Sequence, residues 1–395
     1  MARELNEVYV VDGCRTAFGK ARPNGVFAQT RADDMVVKVI RTLIERNQVP
    51  KDKVDDNIWA ASTQWGDQGL TIGRTTAILS GLPVTTPGCA VDRMCAGGAT
   101  SACFGASEIQ VGAADIVVAG GVEHMGHHPM GEGADPNPRF LAEKLVDQSA
   151  LNMGMTAENL HDMYPHIDQE QCDEYSILSQ EKAKKALDEG KFDNIIVPMT
   201  VWSGGGWKVA DADEQPRPDA TLEGMKELRY PFRVKGRVTP GNSSGLNDGA
   251  AGVLLASGKA VEEYGFKPMM RLVQYAFAAV KPEIMGLGPV PATRKVLERA
   301  GMKFEDMEVI ELNEAFAVQA IVFMEEFGMK LLDDPRLNPW GGAIAFGHPL
   351  ASSGCRLMAQ LAYFFREHPE VKYGLTTMCV GLGQGAAMIF ENVQN

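Results

Sequence analysis

The chain has 395 residues, 45% of them hydrophobic and 23% charged, a composition that suits a globular protein with a large core and length for two or three domains. Its 38 basic and 51 acidic side chains give a formal charge of −13, which excludes broad attraction to nucleic acid or anionic lipid, so any anionic ligand must be met by local cations. No 18-residue uncharged apolar run occurs, and the opening Met1-Ala-Arg-Glu-Leu-Asn-Glu7 lacks the basic and apolar stretches of a secretory leader, so a cytoplasmic protein without membrane insertion is expected. Seven scattered cysteines without a CxxC pair argue against a disulfide framework and a structural zinc site, and predict free thiols.

In chain order, the apolar run from Glu7 to Asp12 predicts a strand, and the periodic stretch from Asp33 to Arg46 predicts a helix. Strand-like and helix-like runs keep alternating, which is the pattern of an α/β fold. Next comes Ala90-Val-Asp-Arg-Met-Cys95-Ala-Gly-Gly98. A thiol there sits between a strand and the small residues that start a helix, where the positive end of the helix favours the thiolate. Cys95 reads as a nucleophile or, equally, as a small buried hydrophobe. Cys103, among Ala and Phe further along the helix, reads as core. Residues 122–248 are richer in Gly, Pro, Asp and Met and read as a long insertion.

Glu308-Val-Ile-Glu-Leu312 predicts a strand whose end would set Asn313 and Glu314 at the rim of a cleft, with Asn313 alternatively capping a helix. In Gly341-Gly-Ala-Ile-Ala-Phe-Gly-His348-Pro349 the glycines and proline predict a strand ending in a tight turn with an imidazole at its tip, able to deprotonate a thiol. Gly374-Leu-Thr-Thr-Met-Cys379 predicts another strand. The following Val380-Gly-Leu-Gly-Gln-Gly385 suits an oxyanion hole beside a second thiol, or simply a hairpin turn around a buried cysteine.

The sequence also echoes itself at an offset of 253. Leu43-Ile-Glu-Arg46 matches Val296-Leu-Glu-Arg299, and the same shift sets Cys95 opposite His348, which suggests a duplicated domain.

Taken together, Val91-Asp-Arg-Met-Cys95-Ala-Gly-Gly98, Asn313-Glu-Ala-Phe316, the Gly341 to Pro349 block and Cys379-Val-Gly381-Leu-Gly-Gln-Gly385 resemble the thiolase family over nearly the whole chain. Gly241-Asn-Ser-Ser244-Gly-Leu-Asn-Asp-Gly-Ala250 resembles the end of that family's CoA-covering loop domain. The resemblance implies a duplicated five-layer αβαβα sandwich: an N-terminal half of 1–121 and 249–270, a loop domain of 122–248 and a C-terminal half of 271–395. It implies that Cys95 accepts the acyl group, His348 activates it, Cys379 is the acid/base, Asn313 positions a water that binds the enolate oxygen with His348, and the N–H groups of Cys95 and Gly381 form a second oxyanion hole. CoA contacts would come from Arg217, Gly224, Leu228, Phe232, Ser244 and Met153, with Phe316 in the acyl pocket. CoA is then a substrate, no metal or permanent cofactor is implied, and the expected assembly is a homodimer or homotetramer, with a hydratase/dehydrogenase chain as a further partner.

Gly120-Gly-Val-Glu-His-Met-Gly-His-His-Pro-Met130 and Asn338-Pro-Trp-Gly-Gly342 resemble degradative 3-ketoacyl-CoA thiolases, so thiolytic cleavage in fatty-acid β-oxidation is the expected activity. A biosynthetic acetoacetyl-CoA thiolase is the alternative. A decarboxylating ketoacyl synthase fits the second cysteine and Asn313-Glu-Ala-Phe316 less well, and a non-catalytic lipid carrier leaves the catalytic set unexplained. Trp340, Ala351 and Asp92 depart from the commonest family residues; the first two could reshape the acyl pocket, and Asp92 could alter the Cys95 pKa.

Overall fold

A computed structural model describes residues 5–394; the first four residues of the segment read for a leader lie outside that range. The first predicted strand is Val8–Arg15 and the first helix is Ala32–Arg46. In that helix Met35, Val36, Val39, Ile40, Leu43 and Ile44 are buried, a spacing that keeps one face on the core, with Asp33 and Asp34 at the N-terminal end and Arg46 at the other.

The described strands include a ten-stranded sheet in which one pattern occurs twice. In the first half Val8–Arg15 pairs antiparallel with Asn247–Ser257, which pairs antiparallel with Ile116–His124, which pairs parallel with Asp56–Ala60; the short edge strand Cys89–Val91 follows. In the second half Met270–Ala279, Gln384–Asn392, Tyr373–Val380 and Val309–Leu312 repeat the same order and directions. The halves join where Tyr9 and Val10 pair with Arg271 and Met270. These strands are mostly buried on both faces and accordingly read as apolar runs rather than as alternation. The 253-residue echo falls on the helices Ala32–Arg46 and Pro289–Ala300 and on the strands that follow them, at equivalent places in the two halves.

Five layers result. Ala32–Arg46 and Ile72–Ser80 cover one outer face, and Pro289–Ala300, packed on Met270–Ala279 and Gln384–Asn392, covers the other. Between the two halves of the sheet lie Gly97–Gln110 and Ser353–Glu367. These two helices approach so closely that a Cβ on Gly354 would lie 2.4 Å from the Ala99 nitrogen, and one on Gly98 would lie 3.3 Å from the Cys355 nitrogen and 2.7 Å from the oxygen of Ala351 in the turn just before the second helix. Glycine is needed there for contact distance rather than for turning the chain.

The long insertion leaves the first half between Ile116–His124 and Asn247–Ser257, strands that run a few residues past the boundaries of 121 and 249 read from the sequence. Its helix Gln169–Asp188 starts with a capping box between Asp168 and Gln171 and packs on Ala317–Glu326. A wholly buried, two-pronged ion pair from Arg15 to Asp213, at 2.6 and 2.7 Å, ties the insertion to the first strand. Among the described residues no helix is long and apolar enough to cross a membrane.

Candidate active site

Cys95 lies in a short 3-10 turn, Met94–Ala96, between the edge strand Cys89–Val91 and the helix Gly97–Gln110. Met94 adopts φ +44°, the left-handed region that costs a side-chain-bearing residue strain. Asp92 offsets that strain: its Oδ1 accepts the Met94 N–H at 2.6 Å and pins the turn. The departure at Asp92 therefore has a structural role, and its charge also raises the Cys95 pKa.

Cys95 is a half-buried residue whose surroundings push the thiol pKa up to about 12, with the backbone N–H of Gly381 pulling the other way. Gly381 follows the strand Tyr373–Val380 of the other half, which packs on the Met94–Ala96 turn, so the two repeats meet at the thiol. A Cβ on Gly381 would meet Met94 Sδ at 2.6 Å, so close approach explains this glycine. Cys379, two residues earlier, is buried at the end of the strand that packs on the Cys95 turn; burial raises its pKa, and charge on Cys95 raises it further. The hairpin and the thiol site are thus one feature, because Gln384–Asn392 returns antiparallel after the glycine turn. The Gln319 Oε1 lies 3.8 Å from the Cys379 Sγ, in position to accept a weak S–H hydrogen bond, while its Nε2 has no partner.

The segment before His348 departs from the sequence reading. Ala343–Phe346 is one turn of helix, not a strand. Gly341 at φ +82° and Gly347 at φ +102° end the regular backbone on both sides, and Glu314 accepts the Ile344 N–H at 3.1 Å. Asn247, from the first half, accepts the His348 N–H at 3.1 Å. The imidazole is buried, with Nδ1 2.6 Å from Ser353 Oγ and Nε2 3.5 Å from Asn313 Nδ2. A neutral ring that donates Nδ1–H to Ser353 leaves the Nε2 lone pair free to take a proton. Burial lowers the His348 pKa to about 3, with the Arg356 charge as the second cause, so the ring is neutral near pH 7.

Asn313 is held by its N–H to Thr377 O, at 3.0 Å, and by Arg356 Nη2, which donates to its Oδ1 at 3.1 Å. It does not cap the next helix; Phe316 precedes Ala317–Glu326 instead. Nor do Asn313 and Glu314 form an exposed rim. Both are buried, and Glu314 accepts from Tyr175, Ser179, Asn338 and Ile344, so its role is to tie the insertion to the loop that carries Asn313.

The residues expected to contact CoA divide into two groups. Arg217, Gly224 and Leu228 line a cleft of about 470 Å³ on the insertion, beside Pro216, Thr221 and Gly241. Met153, Phe232 and Phe316 instead belong to the apolar cluster that also contains Cys379, with the Phe232 and Phe316 rings 6.5 Å apart and Met153 beside Gly381. Ser244 stands between the groups, its N–H donating to Ala315 O at 3.0 Å. Trp340 packs on Phe192 and Phe364, and Ala351 packs on Gly97 while its N–H donates to Glu123; both departures therefore serve core packing.

Residues 8–259 match the model of the thiolase N-terminal domain, and residues 266–392 match that of the thiolase C-terminal domain. The chain belongs to the thiolase family. It is 42% identical over 389 residues to a 3-ketoacyl-CoA thiolase of Psychrobacter arcticus, covering 98% of each chain, and 41% identical over 394 residues to one of Vibrio parahaemolyticus, covering 99% of this chain and all of the other. Among solved structures it is similar to human mitochondrial 3-ketoacyl-CoA thiolase, with a TM-score of 0.90, 35% identity and coverage of 99% and 100%. It is nearly as similar to Bacillus anthracis acetyl-CoA acetyltransferase, with a TM-score of 0.89, 33% identity and the same coverage. As a thiolase the chain is an acyltransferase with the thiolase fold.

Sequence reasoning missed four residues that hold this site in place: Asn247, Gln319, Ser353 and Arg356. Ser353 and Arg356 follow His348 by five and eight residues at the start of one helix, a local signal; Asn247 lies within the Gly241 to Ala250 block, which assigns it no role, and nothing local marks Gln319.

Proposed function

We propose that this thiolase cleaves 3-ketoacyl-CoA with CoA, releasing acetyl-CoA and a shortened acyl-CoA in fatty-acid β-oxidation. The observation that carries the reading is a turn bearing Cys95 packed on the strand of the other half that carries Cys379 and on the turn just after a neutral His348, which is paired with Asn313. The names of the relatives favour the degradative direction.

Cys95 Sγ attacks the 3-keto carbon as its proton passes to His348 Nε2, and the new oxyanion is met by the N–H groups of Cys95 and Gly381. The C2–C3 bond breaks with its electron pair moving to the acetyl-CoA fragment. That fragment is an enolate, whose oxygen is stabilised by His348 and a water held by Asn313, and whose carbon takes the proton of Cys379. CoA enters with its thiol proton passing to Cys379, attacks the acyl-Cys95 thioester, and expels Cys95, which recovers its proton from His348. The first half-reaction leaves His348 protonated and Cys379 as thiolate; the second restores both, Cys379 from the CoA thiol and Cys95 from His348, and ping-pong kinetics follow. Two thiols are needed because Cys95 is held in the acyl bond while the leaving carbon takes its proton from Cys379.

Arg217 and the cleft around it are proposed to hold the CoA nucleotide, while Met153, Phe232 and Phe316 flank the pantetheine end and the acyl chain. Among the relatives, the human enzyme has a structure in complex with CoA. A homodimeric or larger assembly is part of the proposal and is measured by light scattering.

The test is a series of 3-ketoacyl-CoA substrates of increasing chain length. Higher kcat/KM on medium and long chains supports the degradative reading, whereas a marked preference for acetoacetyl-CoA replaces it with the biosynthetic one.

A further inference from the structure

Arg356 is one of the largest wholly buried side chains of the protein, in the first turns of the central helix Ser353–Glu367. A buried guanidinium is expensive, and a well-packed apolar side chain is often equally or more stable in such a place. Its surroundings do not neutralise it fully. Glu311 Oε2 is 3.8 Å from Nη1, too far for a hydrogen bond, and Arg356 Nε and Nη1 and Glu311 Oε2 all lack partners. Glu314, Arg15 and Asp213 are the other charged groups acting on it. The one good hydrogen bond that the group makes is from Nη2 to Asn313 Oδ1, at 3.1 Å.

That bond has a directional consequence. An asparagine amide presents an acceptor on one side and donors on the other, and the two sides are nearly the same shape, so packing alone sets its orientation poorly. A guanidinium is donor only. Reversing the Asn313 amide would turn its NH2 against Arg356, and the observed orientation sends Nδ2 toward His348 Nε2.

We propose that Arg356 is a positioning residue that locks the donor side of Asn313 toward His348, and thereby serves the carbon–carbon step more than the acyl transfer, which shares only the effect of its charge on His348. The inference rests on the thiolase mechanism proposed above. In that mechanism Asn313 and His348 meet the enolate oxygen, which exists only while the C2–C3 bond is broken or made. Transfer of the acyl group between Cys95 and CoA uses the other oxyanion hole, formed by Cys95 and Gly381.

The experiment compares two reactions of the full-length enzyme. One is thiolysis of a 3-ketoacyl-CoA; the other is exchange of labelled CoA into a saturated acyl-CoA, which passes through acyl-Cys95 without an enolate. In Arg356→Met, which keeps length without donors, thiolysis is expected to fall by about tenfold to a hundredfold more than exchange, a smaller loss than removing an oxyanion donor outright. The double variant Asn313→Ala/Arg356→Met should lose little beyond Asn313→Ala, because the two residues act as one unit. Should Arg356→Met leave Glu311 too poorly matched to fold, Arg356→Met/Glu311→Gln removes both charges at nearly constant volume and gives the same readout. Equal losses in thiolysis and exchange, or full additivity in the double variant, overturn the proposal. A wild-type enzyme that fails to exchange CoA overturns the mechanism beneath it instead.

Discussion

Replacing Glu314 by alanine tests whether this carboxylate is a structural joint rather than a rim group. Its Oε1 accepts from Tyr175 Oη at 2.9 Å and Asn338 Nδ2 at 2.8 Å, and its Oε2 from Ser179 Oγ at 2.8 Å and Ile344 N–H at 3.1 Å. After truncation Asn338 Nδ2 keeps Leu312 O at 2.9 Å, and the Ser179 hydroxyl can rotate, but Tyr175 Oη and the Ile344 N–H face a void. Two orphaned buried donors at about 1–3 kcal/mol each give a loss of about 2–6 kcal/mol. Glu314→Gln keeps the volume and one acceptor while turning an NH2 against two donors, so it falls between alanine and wild type. The assay is thermal unfolding followed by circular dichroism, together with thiolysis at a temperature below both transitions. A drop of several degrees is expected for Glu314→Ala, given about 2–4 °C per kcal/mol in domains of 150–250 residues and less in longer chains. An unchanged melting temperature would refute the joint, and retained stability with lost activity would return Glu314 to the chemistry.

Gly381→Ala brings a methyl group to 2.6 Å from Met94 Sδ, next to Cys95; kcat should fall by about tenfold or more through displacement of the oxyanion N–H, with the melting temperature nearly kept, as far-UV circular dichroism and steady-state rates would reveal. With its pKa pushed up to about 12, chiefly by burial, Cys95 is protonated in the free enzyme at neutral pH. Its alkylation by iodoacetamide, followed by peptide mass spectrometry, should therefore keep rising from pH 7 to beyond pH 9, and a plateau centred near pH 7 would contradict this. Arg217→Ala should raise the KM for CoA several-fold with little change in kcat, since none of Cys95, Asn313, His348 and Cys379 lines its cleft; an equal loss in kcat would assign Arg217 elsewhere.

The duplication was legible because both repeats keep the same offset from the first helix to the turns of Cys95 and His348. The alternation of strands and helices was legible for the same reason that the core is buried: each element carries its own apolar face. Failure came where local pattern is ambiguous. Ala343-Ile-Ala-Phe346 is a short apolar run between glycines, which fits a strand or one helical turn equally, and the long-range Glu314 carboxylate decides between them. The partners of the site were hidden for a related reason. Asn247 reaches His348 across 101 residues, and Arg356 reaches Asn313 across 43, and no spacing rule announces such contacts. The six residues expected around CoA came from one resemblance, whereas the structure separates a surface cleft from an apolar group beside the thiols.

The central claim is that Cys95 carries the acyl group. Brief mixing of the enzyme with an acyl-CoA, followed by acid quench, intact mass and peptide mapping, tests it most directly. The account predicts one acyl group per chain, on Cys95, that is discharged by added CoA and absent from Cys95→Ala. An adduct on another cysteine, or undiminished thiolysis by Cys95→Ala, would contradict it.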